Sequence, residues 1–211
     1  MYKCLSLALC LMTIGTVRAE IFSFQVSTPV YTTTAMKKML GPYPEAGSEE
    51  HFMDFDTLLD IQDQRTPESC AVAAKQKSFT LTNLFVVDGG PLTRQEALIL
   101  SPLMAKVYLD AEINIQIAKN AFKRRRPYLT NFQIVPCVGL EKSYAYPSGH
   151  ATLSRLAARV LAKLFPERAE AFIRRADAVA WNRVLGGVHH PSDIVAGKKL
   201  GDMLANGFRR K

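Results

Sequence analysis

Amphipathic helical segments follow one another along most of this chain, and no convincing alternating strand appears between them. Apolar residues recur at spacings of three and four along stretches such as 149 to 165, which places them on one side of a helix. Capping signals separate the segments, for example the capping box Thr93–Glu96. The pattern predicts an all-α single domain, with six or so helices packed around one core.

Start and stop signals give the approximate helix bounds. Ser48 and Thr66 are N-cap candidates, and Pro67 suits a first helical position. Pro102 is expected to kink or restart its helix, and Thr80–Val87 is ambiguous between helix and strand. The predicted helices cover 35–40, 48 to about 65, a segment starting at 66, 93 to about 123, 149–165, 166 to about 185, and 192 to about 207.

The first nineteen residues have the pattern of an export signal. Lys3 precedes an apolar run from Cys4 to Val17, and Val17 and Ala19 form the small-residue pattern that signal peptidase cleaves. The alternative is a membrane anchor, but a spanning helix needs roughly 20 apolar residues. We predict a cleaved signal peptide (1–19), an N-terminal arm and helix (20–65) and a helical core (66–211). The mature protein would be periplasmic or secreted, without a transmembrane segment.

Cleavage would leave two cysteines and a basic chain. In an exported protein, Cys70 and Cys137 predict a disulfide, with two buried thiols as the alternative. The whole chain has a formal charge of +8, and it stays basic without Lys3 and Arg18. This charge indicates an anionic partner such as phosphate, an acidic membrane or nucleic acid.

Three of the four histidines lie in turns beside predicted helix ends. Within Tyr146–His150, Ser148 can cap the next helix, and Gly149 lets an anion approach its free N–H groups. That segment is also an ordinary capped helix start. His189 lies just past one helix and Asp193 in the first turn of the next. The carboxylate can therefore orient the imidazole and leave one ring nitrogen as a nucleophile or base.

A basic run, Lys123–Arg126, ends the helix that is predicted from 93. Lys119 and Arg126 are seven residues apart, close to two helical turns, so their charged ends can lie on the same side. Taken alone, the run is also typical of a solvated face or of a patch that contacts phosphate backbones.

The three segments contain Lys119-x6-Arg126-Pro127, Pro147-Ser148-Gly149-His150 and Arg183-x5-His189-x3-Asp193. In order and spacing this set resembles the three-part motif of the type 2 phosphatidic acid phosphatase superfamily. The resemblance covers roughly residues 66 to 201. Because the chain also has a predicted export signal, within this superfamily it is most similar to the soluble bacterial class A non-specific acid phosphatases. Asn182 departs from the family pattern, which usually has serine there.

The resemblance implies a helical bundle of the acid phosphatase and vanadium haloperoxidase type. It implies hydrolysis of phosphomonoesters without metal or other cofactor. His189 would form a phosphohistidine, Asp193 would orient His189, and His150 would protonate the leaving group and then activate water. The implied phosphate-binding groups are Lys119, Arg126, Ser148, Gly149 and Arg183.

Several readings stay open at this point. The same motifs resemble vanadium-dependent haloperoxidases, and Lys123–Arg126 is compatible with a non-enzymatic binder of nucleic acid or acidic lipid. Metal catalysis is disfavoured because the motifs bring two arginines and a lysine together with a single carboxylate, Asp193. We expect a small phosphorylated substrate and no nucleic acid. We expect residues 20–65 and 128–146 to form the pocket for the leaving group of the substrate. The N-terminal arm is compatible with a homo-oligomer.

Overall fold

The computed structural model describes residues 24–26 and 28–210, so the predicted signal peptide lies outside it. Within these residues the all-α prediction is confirmed, with helices close to the predicted bounds. The helices are α1 (Thr33–Leu40), α2 (Glu49–Gln64), α3 (Pro67–Lys75), α4 (Arg94–Phe122), α5 (Gly149–Leu164), α6 (Ala169–Leu185) and α7 (Pro191–Ala205). Short 3₁₀ turns at Pro127–Leu129 and Pro166–Arg168 follow α4 and precede α6.

Two short strands were not predicted. Phe24–Val26 (β1) pairs antiparallel with Phe208–Arg210 (β2), with Gln25 opposite Arg209. Three residues are too few to show a period of two, which explains why the pattern missed them. The ambiguous stretch Thr80–Val87 contains a single π-helical turn, Thr82–Val86, and no strand.

The predicted caps are present, whereas a restart of the helix at Pro102 is not. Ser48 Oγ accepts a hydrogen bond from the His51 amide at 3.2 Å. Thr93 and Glu96 form the expected reciprocal capping box. Helix α4 runs through Pro102 as one continuous helix, so it does not restart there.

Glycines let α7 lie directly against the first half of α5. A Cβ atom at Gly197 would come within 2.6 Å of the Ser148 carbonyl oxygen, and one at Gly201 within 2.6 Å of the Thr152 carbonyl oxygen. The Ser148 amide also donates to the Asp193 carbonyl at 3.0 Å. This close approach places the start of α7 beside the start of α5, where two of the three motifs lie.

The predicted disulfide between Cys70 and Cys137 is confirmed. It connects α3 to the segment of residues 130–148, which leads into α5 and which we call the 130–148 segment. Helix α2 also holds this segment, because Gln62 Nε2 donates to the Gln133 carbonyl at 2.9 Å. No helix in the described part of the chain is both long and apolar enough to cross a membrane.

Candidate active site

His189 lies in the turn between α6 and α7, and both of its ring nitrogens have partners. Its Nδ1 is 3.3 Å from Asp193 Oδ2, and its Nε2 is 2.8 Å from Arg126 Nη1. Because a carboxylate accepts, Nδ1 carries the hydrogen and Nε2 presents its lone pair towards Arg126. Burial, and then the charge of Arg126, hold the pKa of His189 well below its usual value. The imidazole is therefore neutral and nucleophilic at Nε2.

Asp193 is the centre of a buried network. Its Oδ2 accepts from the His190 amide at 2.8 Å, and it lies 3.1 Å from His190 Nδ1. Its Oδ1 accepts from Arg124 Nη1 at 2.6 Å, and Arg124 Nη2 donates to Asp54 Oδ2 at 2.8 Å. Burial opposes the charge on Asp193, but His190, the hydrogen bonds from His189 and His190, and Arg124 hold its pKa well below the usual range.

Three motif cations, Lys119, Arg126 and Arg183, are almost completely buried, with at most 4% of their surface exposed. Lys119 donates from Nζ to the Tyr144 carbonyl, and Arg183 donates from Nη2 to the Ala73 carbonyl. Burial, and then repulsion from Arg126, lower the pKa of Lys119 to about 8. Burial lowers the pKa of Arg183 to about 10.

His150, in the first turn of α5, is anchored by a backbone carbonyl. Its Nε2 is 3.1 Å from the Gln76 carbonyl oxygen, so Nε2 carries the hydrogen and Nδ1 faces the site. The ring packs on Phe79, with 4.2 Å between ring centroids. Burial, and then the charge of Arg183, lower the pKa of His150 to about 3. At neutral pH, His150 therefore carries no proton on Nδ1.

Glu141, in the 130–148 segment, reaches in among these groups. Its Oε2 accepts from Arg126 Nη2 at 3.0 Å, and its Oε1 is 3.8 Å from His150 Nδ1. The carboxylate also interacts electrostatically with Lys119 and Arg183. It thereby links groups from both histidine motifs.

The structure thus brings the sequence-predicted residues together. Lys119 and Arg126 come from the end of α4, and Ser148, Gly149 and His150 from the start of α5. Arg183, His189 and Asp193 come from the end of α6 and the start of α7. Asn182, the departure from the motif, donates from Nδ2 to Gln76 Oε1 at 2.9 Å.

Sequence reasoning missed four contributors, namely Asp54, Gln76, Arg124 and Glu141. For Arg124 the sequence provided an indication, because it lies in the basic run Lys123–Arg126. In the structure Arg124 and Arg126 of that run are buried, whereas Lys123 and Arg125 are exposed. The other three had no motif around them. Across the described residues, no group of three or more His, Cys, Asp or Glu side chains is arranged to hold a metal ion.

The fold and the site define a class: helical proteins in which a buried cluster of cations surrounds two histidines, one of them paired with an aspartate. Within that class, the sequence profile of the PAP2 superfamily matches residues 97–210, more than half of the chain. The chain therefore belongs to the PAP2 superfamily.

Curated relatives and solved structures are consistent with this placement. The chain is 28% identical over 167 residues to an acid phosphatase of Zymomonas mobilis, a match that covers 75% of this chain but 63% of that protein. It is 26% identical over 170 residues to a non-specific acid phosphatase of Providencia stuartii, covering 76% and 68%. A bacterial vanadium-dependent iodoperoxidase shares the fold with a TM-score of 0.58 at 18% identity, covering 81% and 53%.

Proposed function

We propose that the protein is a metal-independent acid phosphatase that hydrolyses phosphomonoesters through a phosphohistidine at His189. The observation that carries this proposal is the position of His189, with Nδ1 on Asp193 and Nε2 directed into a cluster of buried cations. We call the space bounded by Lys119, Arg126, His150, Arg183 and His189 the phosphoryl pocket. The acid phosphatases of Zymomonas mobilis and Providencia stuartii, to which the chain is similar, support the same reaction class.

In the first step, His189 Nε2 attacks phosphorus and the bond to the leaving oxygen breaks. Lys119, Arg126 and Arg183 stabilise the charge on the three non-bridging oxygens. Asp193 stabilises the positive charge that develops on the imidazole of His189. The products are the N–P bond of phosphohistidine and an alkoxide that takes a proton from His150 Nδ1.

The start of α5 supplies further donors. Ser148 Oγ accepts a hydrogen bond from the Ala151 amide at 3.3 Å, which leaves its hydroxyl hydrogen for a phosphoryl oxygen. A Cβ atom at Gly149 would meet only Ile115 Cγ2, at an ordinary 3.8 Å. Packing therefore does not require glycine there, which supports a role in admitting the phosphoryl group.

His150 becomes an acid only in the complex. Its pKa of about 3 reflects burial and the charge of Arg183, and a phosphoryl dianion beside Nδ1 would raise it by attraction. After the leaving group departs, neutral His150 takes a proton from water, the water oxygen attacks phosphorus, and the N–P bond breaks to release phosphate. The rate is expected to be bell-shaped in pH with an acidic optimum.

Metal independence and export belong to the same proposal. Three buried cations surround the pocket, and a divalent cation there would be repelled. The Cys70–Cys137 disulfide suits an oxidising compartment such as the periplasm or the extracellular medium.

A chemical-quench experiment tests the proposal. The purified chain is mixed with a ³²P-labelled phosphomonoester in excess chelator, quenched in base, and the label on protein is measured before and after acid. We expect label that is stable in base and lost in acid, as phosphoramidates are. Loss of turnover in chelator with rescue by a divalent ion would contradict the proposal.

The similarity of the fold to that of a vanadium-dependent iodoperoxidase supports one alternative enzyme class, the haloperoxidases. If vanadate added to the chain gave halide oxidation by peroxide, the pocket would be a haloperoxidase site. We expect vanadate to inhibit phosphate release instead and to support no halide oxidation.

A further inference from the structure

Every N–H group of the Arg126 guanidinium already has an acceptor within the protein. Nε donates to the Ser143 carbonyl at 2.9 Å. Nη1 lies 2.8 Å from both the Val188 carbonyl oxygen and His189 Nε2. Nη2 donates to Glu141 Oε2 at 3.0 Å and to Ser143 Oγ at 3.1 Å. An arginine has five such hydrogens, so a phosphoryl oxygen can bind Arg126 only by replacing one of these acceptors.

In the proposed reaction His189 Nε2 gives up Arg126 when it attacks phosphorus, and Glu141 is the charged acceptor that can leave. The two backbone carbonyls are fixed by the fold, whereas the Glu141 side chain is 28% exposed and lies on the 130–148 segment. It reaches between Arg126 Nη2 and His150 Nδ1. Its carboxylate is also the only acceptor on Arg126 that carries a charge. A carboxylate offers two oxygens to cations in much the same way as a phosphoryl group does.

From this geometry we infer that Glu141 is a built-in competitor of phosphate: its carboxylate occupies the phosphoryl pocket between Arg126 and His150, and an oxyanion must displace it to bind. The inference rests on the proposed function, because it assigns an internal ligand to the proposed phosphoryl pocket. It also gives the empty pocket a counter-charge, since three buried cations without an anion would be costly.

Displacement predicts a specific pattern of affinities. If the bound anion and the Glu141 carboxylate exclude each other, the competition weakens every oxyanion by the same factor, because that factor is the fraction of molecules with the pocket free. If Glu141 instead remained in place beside the anion, repulsion would weaken a dianion more than a monoanion.

Calorimetric titration with inorganic phosphate and with sulfate measures that factor, at a pH below the second pKa of phosphate so that phosphate is a monoanion and sulfate a dianion. Glu141→Gln removes the charge with little change of shape, and Glu141→Asp keeps the charge on a side chain one methylene shorter. The matched control is Glu170→Gln, which removes a charge paired with Arg174 on the surface, where Glu170 is 84% exposed. We expect Glu141→Gln to bind both anions about tenfold more tightly than the wild type does. Glu141→Asp should increase the affinity for both anions less, and Glu170→Gln should leave it unchanged.

Thermal unfolding provides a second readout. The melting temperature of Glu141→Gln without added anion should fall below that of the wild type, because the cations lose their counter-charge. Inorganic phosphate should raise the melting temperature of Glu141→Gln by more than it raises that of the wild type. A ligand that binds the folded state more tightly stabilises that state more.

Unchanged or weaker binding of phosphate to Glu141→Gln would overturn the inference. Unequal factors for phosphate and sulfate would also overturn it, because they would show that Glu141 stays beside the bound anion. These outcomes are separate from failure of the proposed function. A chain that hydrolyses no phosphomonoester, but in which Glu141→Gln tightens both anions equally, would retain the internal ligand and lose only the phosphatase assignment.

Discussion

The two sides of the phosphoryl pocket are held in place by different kinds of contact. On the nucleophile side, formed by His189, Asp193, Arg124 and Asp54, carboxylates alternate with charged or N–H donors. On the acid side, formed by His150, Arg183, Gln76 and Asn182, the charged or titratable groups are held by neutral backbone carbonyls. The nucleophile side therefore contains its own hydrogen-bonded carboxylates, whereas the acid side has none, and its nearest carboxylate within residues 28–210 is that of Glu141, from the 130–148 segment.

Unpartnered atoms show the same contrast. Among the residues that the structure describes, the buried atoms Arg183 Nε and Gln76 Nε2 have no hydrogen-bond acceptor. Such orphan donors are rare in folded proteins, because each loses its hydration without compensation. Their presence on the acid side fits the proposal that this side binds an anion, whereas the contacts of the nucleophile side hold one imidazole in a fixed orientation.

The largest effect should come from removing the nucleophile. We expect His189→Ala to lower turnover by about 10⁴-fold or more, as removal of a catalytic nucleophile does, and to abolish the acid-labile label. His190→Asn is the matched control, because His190 also contacts Asp193 but packs its ring edge-on against Phe55. If the label persisted in His189→Ala and vanished in His190→Asn, the nucleophile would be the neighbouring histidine.

Two arginines of similar burial test the contrast between the sides directly. Arg124→Met should lower the free energy of unfolding by about 3–5 kcal/mol, because it leaves Asp54 and Asp193 buried without their partner. Arg183→Met should change the unfolding free energy much less, since Arg183 has no carboxylate within hydrogen-bond distance among the described residues. It should instead lower kcat/KM by about 10²–10³-fold, as loss of one transition-state donor does.

Urea unfolding and steady-state kinetics on both variants measure these effects. The contrast would be broken if Arg183→Met were as destabilising as Arg124→Met. The contrast would also fail if Arg183→Met kept wild-type kcat/KM, because the Arg183 charge would then have no part in binding substrate or stabilising the transition state.

The sequence contained about half of each side, His150 and Arg183 on the acid side and His189 and Asp193 on the nucleophile side. Local patterns predicted the helices near their observed ends, and the family resemblance that the three motifs carry implied the eight residues that the structure brings together. Caps and spacings are local properties, so a single sequence displays them. The disulfide was also predicted, because only two cysteines remain after the predicted signal peptide.

Long-range partners were not predictable in the same way. Asp54 and Ser192 are 138 residues apart, yet Asp54 Oδ1 accepts from the Ser192 amide at 3.0 Å. In the sequence Asp54 is one of several acids on an acidic helix, and nothing local distinguishes it. Glu141 lies in an irregular segment whose path depends on contacts with α2 and on the disulfide. Such partners follow from tertiary packing, which a local pattern does not specify.

Asp54→Asn should produce an intermediate effect. The asparagine side chain has the same shape as that of Asp54, but without the charge its hydrogen bond with Arg124 is weaker. Arg124 in turn donates to Asp193 and orients it. We expect the rate of phosphoenzyme formation to fall about tenfold with KM unchanged, in the range typical for partners that orient an active-site ligand, and the free energy of unfolding to fall by about 1–3 kcal/mol.

Asp56→Asn is the matched control for Asp54→Asn, because Asp56 is exposed two residues further along α2. Rapid-quench kinetics and urea unfolding on both variants separate positioning from stability. A variant Asp54→Asn that loses stability but forms phosphoenzyme at the wild-type rate would show that α2 supports the fold without orienting the nucleophile.

The smallest effect should be the alkaline limb of the pH profile. Lys119 has a pKa of about 8, lowered by burial and then by Arg126, so its charge is present below that pH and lost above it. Because kcat/KM reports the free enzyme, loss of the Lys119 proton should add about fourfold to the decline of kcat/KM between pH 7 and pH 8.5. In Lys119→Arg the guanidinium stays charged throughout this range. The decline in that variant should therefore be about fourfold smaller than in the wild type, and an unchanged decline would show that Lys119 does not contribute to the limb.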